Sequence, residues 1–198
     1  MCDALLLYLD NPNATLAEFM KVLPGPDFPT GGQICGRRGI VDAYSTGRGS
    51  IVLRGKCHVE EGRNERKTIV IDELPYTVLR SSVTERIATA VKSGQIKDVS
   101  AVNDASDRKS DVRIEVELKR DANEDVVINQ LFEYTPLQSS FHIMNIALVG
   151  RQPQTLTLKD MLRLYVEHRK DVIRRRTSFL LRRAKQRAHV LEGLILAV

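Results

Sequence analysis

The side chains with the widest chemical range in this chain are four histidines, three cysteines, a group of aspartates and thirty lysines and arginines. His58, His142, His168 and His189 stand far apart in sequence and show no metal-ligand spacing. His168 and His189 fall in a long helical stretch, where packing or a rim position is the plainer role. Cys2, Cys35 and Cys57 are odd in number and form no Cys-x-x-Cys pair, so neither a disulfide framework nor a zinc knuckle is indicated, and a reducing cytoplasm fits best. Cys57 and His58 are adjacent in a strand-like run, which sends them to opposite faces. Asp104, Asp107 and Asp111 crowd one loop, but the calcium-loop spacing and its closing glutamate are missing, and acidic turn chemistry accounts for them better than a cation. There is no Gly-x-x-x-x-Gly-Lys-Ser/Thr loop and no Gly-x-Gly-x-x-Gly after a strand. Gly47-Arg48-Gly49 reads as a turn into a strand rather than a nucleotide cradle. On its residues alone the chain is not a self-sufficient enzyme.

The cations are concentrated. Between Arg163 and Arg187 ten Lys/Arg stand against two acids, a net +8 that leaves −3 for the rest of a chain totalling +5. Such concentration reads as a surface for a polyanion or an acidic partner; a solvated helix face is the other reading. With 5% aromatic residues and no tryptophan, a base-stacking surface for single strands is disfavoured. No apolar run approaches the roughly 20 residues of a membrane span. Ala4–Leu9 is too short for a secretory signal and has Asp3 where a basic flank belongs.

The elements that must carry these groups can be read from period and punctuation. Thr15-x-x-Glu18, Ser82-x-x-Glu85, Asp121-x-x-Glu124 and Thr157-x-x-Asp160 carry the helix-start signature, each before a segment of helical apolar spacing. Runs of strand character cover Ser50–Val59, Lys67–Ile71, Ile96–Val102, Val112–Leu118 and Phe141–Leu148. Pro24-Gly-Pro, Gly31-Gly, Gly47-Arg-Gly and Gly62 punctuate the first third. From Lys67 onward the order is strand, helix, strand, strand, helix, strand, a split βαβ pattern closing as a small sheet with two helices on one face, unless the preceding hairpin extends or reroutes it. The fold class is therefore α+β. From Leu158 to Ile195 there is no proline and only Gly193, which predicts one helix about 57 Å long. A compact globule of this length is about 40 Å across, so the helix is expected to extend beyond it. Its seam, Ile173, Thr177, Leu180, Ala184, Ala188, Leu191, Ile195 and Val198, steps by three and four as a coiled coil requires, and a second helix must cover it.

Motifs spread along the chain carry a resemblance. They are Pro24-Gly-Pro-Asp-Phe-Pro-Thr30, Gly36-Arg-Arg-Gly-Ile40, Ala43-Tyr-Ser-Thr-Gly-Arg-Gly49, Ile71-Asp-Glu-Leu-Pro-Tyr76, Glu117-Leu-Lys-Arg-Asp-Ala122, Tyr165-Val-Glu-His-Arg169, Arg174-Arg-Arg-Thr-Ser-Phe179 and Arg187 to Gly193. In order and spacing the chain resembles the breakage-reunion subunit of bacterial type IIA DNA topoisomerases. It is more similar to the gyrase branch than to the topoisomerase IV branch, chiefly through Gly36–Ile40 and His168-Arg169.

The resemblance implies a DNA-binding isomerase subunit of the bacterial cytoplasm and nucleoid. Its parent holds a gate duplex, cuts both strands with a tyrosine, passes a second duplex and reseals, with negative supercoiling as the gyrase activity. It further implies a lead-in of linking helices and Pro/Gly-rich chain over 1–30, a tower domain over 31–155, and the outgoing coiled-coil helix over 156–198, cut before its return. The family's nucleophile lies in an Arg-Tyr-Thr context upstream of the Pro-Gly-Pro-Asp-Phe-Pro motif. Tyr134-Thr135 follows Glu133 and matches a downstream tower helix, so no catalytic residue is assigned. Mg²⁺ and ATP belong to the partner, the gyrase B subunit; the parent is a heterotetramer with a second copy of the A subunit. Ala105 departs from the Asp-Glu-Ser-Asp stretch of relatives, which further weakens a metal reading. A tower supports the arms of a bent duplex through phosphates, and Arg37, Arg38, Arg48, Arg54 and Lys56, in Gly-rich turns or on the adjoining strand, are the expected double-stranded DNA contacts. Bridging of Arg37-Arg38 to Asp27 or Asp42 is the alternative, as is a spacer without DNA contacts. A split βαβ RNA-binding domain is disfavoured because no aromatic pair sits centrally on its strands.

Overall fold

A computed structural model describes residues 1–61, 67–107 and 112–197. Gly62, Asp111 and Val198, named above, lie outside the described residues. In chain order the elements are α1 (Cys2–Asp10), α2 (Leu16–Val22), β1 (Gln33–Cys35), α3 (Arg38–Thr46), β2 (Arg48–Arg54), β3 (Lys56–Glu61) and β4 (Lys67–Glu73). There follow α4 (Arg80–Lys92), β5 (Val99–Asp104), β6 (Ile114–Leu118), α5 (Glu124–Tyr134), β7 (Gln138–Met144), β8 (Ile146–Val149), β9 (Gln152–Thr155) and α6 (Leu158–Ala197). The molecule is α+β, with antiparallel sheets and one long C-terminal helix. Two compact units emerge, Gly25–Ile146 and a second made of Met1–Pro24 with Ala147–Val198.

In the first unit, β3-β4-β6-β5 form a four-stranded antiparallel sheet. Alternation on β6 sends Ile114, Val116 and Leu118 to one face and Glu115 and Glu117 to the other. Ile69 and Ile71 of β4 join the apolar face through the pairs Ile69–Val116 and Ile71–Ile114. Val83, Ile87 and Ala90 of α4 and Val127 and Leu131 of α5 close the core over that face. The chain order from Lys67 is the expected one, but the sheet differs in one place. The position beside β4 that a split βαβ unit gives its last strand is taken by β3, and β7 pairs with β2 instead. The hairpin from β3 to β4 is local, so its closure costs little chain entropy compared with bringing β7 back.

The expected run Ser50–Val59 accordingly breaks at Gly55. Its N–H donates to the Leu137 carbonyl at 2.8 Å, and an added Cβ would stand 2.6 Å from the Glu73 carbonyl oxygen. Here the chain passes from one sheet to the next. The other sheet is β1-β2-β7, with α3 against β2. Gly39 in α3 and Gly49 in β2 let the two backbones touch: a Cβ on Gly39 would collide with the Ser50 carbonyl, and one on Gly49 with the Gly39 carbonyl. Phe28, Tyr76 and Phe141 form a ring cluster with centroids 5.3–5.7 Å apart, so two of the recognised motifs meet on β7.

In the second unit, α2 opens on the expected capping box. Thr15 Oγ1 accepts the Glu18 N–H, and the Glu18 carboxylate accepts the Thr15 N–H at 2.6 Å. Thr157 likewise caps α6, accepting the Asp160 N–H at 3.1 Å. The other two signatures do not cap. α4 starts at Arg80 behind Leu79, ahead of Ser82, and α5 is capped by Asn123, whose side chain accepts the Asp125 and Val126 N–H groups, rather than by Asp121. The β8–β9 ribbon turns through Gly150 and Arg151, both at positive φ, as a two-residue hairpin demands. The base of α6 buries Leu158, Leu162 and Val166, whereas every residue from Arg174 to Ala197 is exposed. No described helix is long and apolar enough to cross a membrane.

Candidate nucleic-acid interface

The sequence placed Arg37 and Arg38 in a glycine-rich turn; they sit instead at the start of a nine-residue helix, α3, with Arg37 as its N-cap. Ile40, Ala43 and Tyr44, one helical face, are buried against β2, and Gly47 ends the helix at φ 79°, a left-handed C-cap that glycine adopts at little cost. The N-terminus has no side-chain cap and no acid in its first turn. Its orphan N–H groups and two guanidiniums together make a strongly positive spot. Cations at a helix N-terminus oppose the helix dipole by roughly 0.3–1 kcal/mol each, a cost that a bound anion removes.

Arg48 starts β2 immediately after Gly47. Through the Gly39–Gly49 contact, Arg38 and Arg48 are chain neighbours of two backbones in touch, with Arg37 and Arg38 at the start of α3 and Arg48 just past its C-cap. All three are exposed, and among the described residues none makes a side-chain hydrogen bond or ion pair. The bridges to Asp27 or Asp42 are not formed. The Gly47 carbonyl accepts the Asn145 N–H at 2.8 Å, and the Asn145 side chain donates to the Ala43 carbonyl at 3.4 Å, which pins the turn that carries Arg48.

Arg54 and Lys56 are placed differently. Arg54 donates from Nε to Gln138 Oε1 and lies over the Phe132 ring, 4.8 Å from its centroid. Lys56 Nζ is 3.7 Å from Glu73 Oε1, and the other oxygen of Glu73 accepts the Gly32 N–H. Both cations thus have internal partners, about 20 Å of extended chain beyond Arg48 in the case of Arg54.

The outward face of the four-stranded sheet has the opposite sign. His58 lies between Asp72 (Nδ1 to Oδ2, 2.7 Å) and Glu60 (Nε2 to Oε1, 3.1 Å), and these two carboxylates raise its pKa, Glu60 most. Arg113 reaches Glu60 and Glu115 at 2.8 Å each and holds the Glu60 carboxyl below its usual range. Cys57 points the other way, and burial pushes its thiol up. Asp104 accepts from the Ser106 N–H and pairs with Arg80 at 3.1 Å, and the Ser106 bonds lower its pKa. Among the described residues no group of three His, Cys, Asp or Glu side chains is placed to hold a metal ion.

Comparison with known proteins gives the family. The family model for the A subunit of DNA gyrase and topoisomerase IV matches over residues 1–198. The DNA gyrase A subunit of Granulibacter bethesdensis is 50% identical over 196 residues, that of Deinococcus deserti 46% over 198, and that of Helicobacter pylori 44% over 196. Each alignment takes in 99–100% of this chain and 21–24% of the relative, so the chain spans between a fifth and a quarter of the length of these proteins. With its motifs matched from one end to the other, the chain belongs to the family of DNA gyrase and topoisomerase IV A subunits.

Proposed function

We propose that this chain is the tower and outgoing-helix portion of a gyrase-type A subunit, and that it supports the arms of the gate duplex through phosphate contacts made by Arg37, Arg38 and Arg48. The observation that carries this reading is that three exposed arginines without internal partners flank α3, Arg37 and Arg38 at its uncapped N-terminus and Arg48 just past its C-cap, where Gly39 and Gly49 bring helix and strand backbones into contact. Phosphate contacts give affinity and register but little sequence information. Bending a 20–30 base-pair site costs roughly 1–6 kcal/mol, and contacts on its arms offset that cost away from the cut. Arg54 and Lys56 contribute less, because each must leave an internal partner before it can meet DNA.

The part has no nucleophile of its own in this reading. The cutting tyrosine, the Mg²⁺ carboxylates and ATP hydrolysis act elsewhere in an assembly of two A and two B subunits, which drives negative supercoiling in the cytoplasm. The proposal is tested by binding of a 30–40 base-pair duplex, roughly the span of a bent site with arms, to the purified chain. Changing Arg37, Arg38 and Arg48 together to Glu should abolish binding, while Arg54→Gln with Lys56→Gln should weaken it only a few-fold. Equal binding by all three proteins would remove the arginine spot from the interface.

A further inference from the structure

The long helix carries a second apolar line that its coiled-coil seam does not use. At the base of the helix Leu158, Leu162 and Val166 are buried; beyond it the seam runs through Ile173, Leu180 and Leu191. In the seam's frame the three base residues fall at c, g and d, so the c line is covered at Leu158 and open from Tyr165 onward. Written as heptads with Ile173 and Leu180 at d and Thr177, Ala184 and Leu191 at a, the residues at c are Tyr165, Val172 and Phe179. In a two-stranded coiled coil only a and d face the partner, and c looks to solvent. Yet Tyr165 and Phe179 are 51% and 53% exposed, and the three c residues recur every seven positions, which puts them on one line along the helix.

Both flanks of this line are cationic. On one side Arg169, Arg176 and Arg183 occupy g, between the line and the seam; on the other stand Arg175 and Arg182 at f. A shallow groove is lined by Val172, Arg175, Arg176, Phe179 and Arg182. Arg175 pairs with Asp171 at 3.6 Å, and among the described residues the other four arginines have no ion-pair partner. An apolar line bordered by guanidiniums on each side is complementary to an apolar line bordered by carboxylates. Its straight heptad course fits another helix rather than an extended strand.

We propose that the Tyr165–Val172–Phe179 line is a docking surface for an acidic amphipathic helix, separate from the helix that covers the seam. The arginine row at g lies between the two neighbours and serves both, selecting acidic flanks in each. A second copy of α6 is excluded from the line in parallel register, since it would set arginine against arginine. This surface lies in the other unit from the arginine spot on α3 and does not depend on the DNA reading.

The test uses the whole 198-residue chain and two synthetic helical peptides of about three heptads, identical in their Leu line and flanked by Glu in one and Lys in the other. Fluorescence anisotropy should show the Glu peptide binding at least about tenfold more tightly, with affinity falling as salt rises. Tyr165→Ala with Phe179→Ala should lower that affinity about tenfold, whereas Leu180→Ala should change it less than about threefold. All three positions are exposed, and circular dichroism checks that helicity is kept. Arg169→Glu, Arg176→Glu and Arg183→Glu together should reverse the preference toward the Lys peptide. The proposal is overturned if neither peptide binds, if both bind alike, if the loss follows Leu180 and not Phe179, or if the Phe179 change instead weakens binding of a short DNA duplex.

Discussion

Gly49 has no room for a side chain: a Cβ there would press on the Gly39 carbonyl and stand 2.8 Å from the Ala43 amide nitrogen. Gly49→Ala must therefore push α3 off β2, and an overpacking cost of about 1–3 kcal/mol is expected in urea unfolding. An unchanged midpoint would mean that the helix is not seated as described. His58 makes a second prediction at this scale. Its pKa is raised in the folded chain by Glu60 and Asp72, so the stabilisation from its charged form is complete below about pH 6.5, the unfolded value, and is lost as pH rises through the folded value. Thermal unfolding of the native chain and His58→Asn should differ at pH 6, and the difference should shrink as pH is raised above the unfolded value of about 6.5; a difference constant with pH contradicts the pairing. His58 and Cys57 were assigned to opposite strand faces by alternation alone. The setting of Arg37 and Arg38 was not legible, because Gly36, Gly39 and Gly47 mark turns in any local reading and mask the Ile40–Ala43–Tyr44 face of a short helix. Only the tertiary contact between Gly39 and Gly49 reveals why a glycine stands inside that helix.

Among the elements, α5 shows how a local signature misleads by two residues. Asp121 has an acid three positions on, but Asn123 makes the cap, so Asn123→Ala should cost about 1 kcal/mol and Asp121→Ala much less. The reverse order would return the cap to Asp121. The strands of the four-stranded sheet were largely legible, because Ile114, Val116 and Leu118 alternate with glutamates and leave one register available. The routing of β3 and β7 was not, because Phe141–Met144 suits either sheet edge and the choice rests on Gly55 and the closure of the β3–β4 hairpin. α6 was legible almost to its ends from the absence of proline and the Thr157 box. Its exposed seam, with Leu180 and Leu191 half-exposed, gives a prediction about association. Each buried Leu or Ile is worth about 1.5–3 kcal/mol, while the net +8 between Arg163 and Arg187 opposes side-by-side pairing. Sedimentation should therefore show a weak dimer that strengthens with salt, as screening relieves the repulsion. A strict monomer at low and high salt would show that the seam has no free affinity.

At the scale of the whole molecule the charges divide, with exposed arginines without internal partners at the N-terminus of α3 and the start of β2, a carboxylate-rich sheet face bearing Glu60, Asp72, Glu115 and Glu117, and a basic long helix. On the proposed reading, in which the nucleophile lies elsewhere in the assembly, the chain incubated with supercoiled plasmid, Mg²⁺, ATP and the gyrase B protein should form no covalent DNA adduct and leave the topology unchanged; an adduct would overturn that. The family motifs made the membership readable from the sequence, but the choice among the basic residues needed the structure, which separates arginines with internal partners from those without. The central claim is that Arg37, Arg38 and Arg48 hold duplex phosphates, and the salt dependence of duplex binding tests it most directly. With three to five contacts, the slope of log K against log salt should be about −2.7 to −4.5, independent of sequence. Changing the three arginines to Glu should flatten it by about three units or remove binding altogether. A native slope near zero, or a steep slope unchanged in the triple variant, would contradict the account.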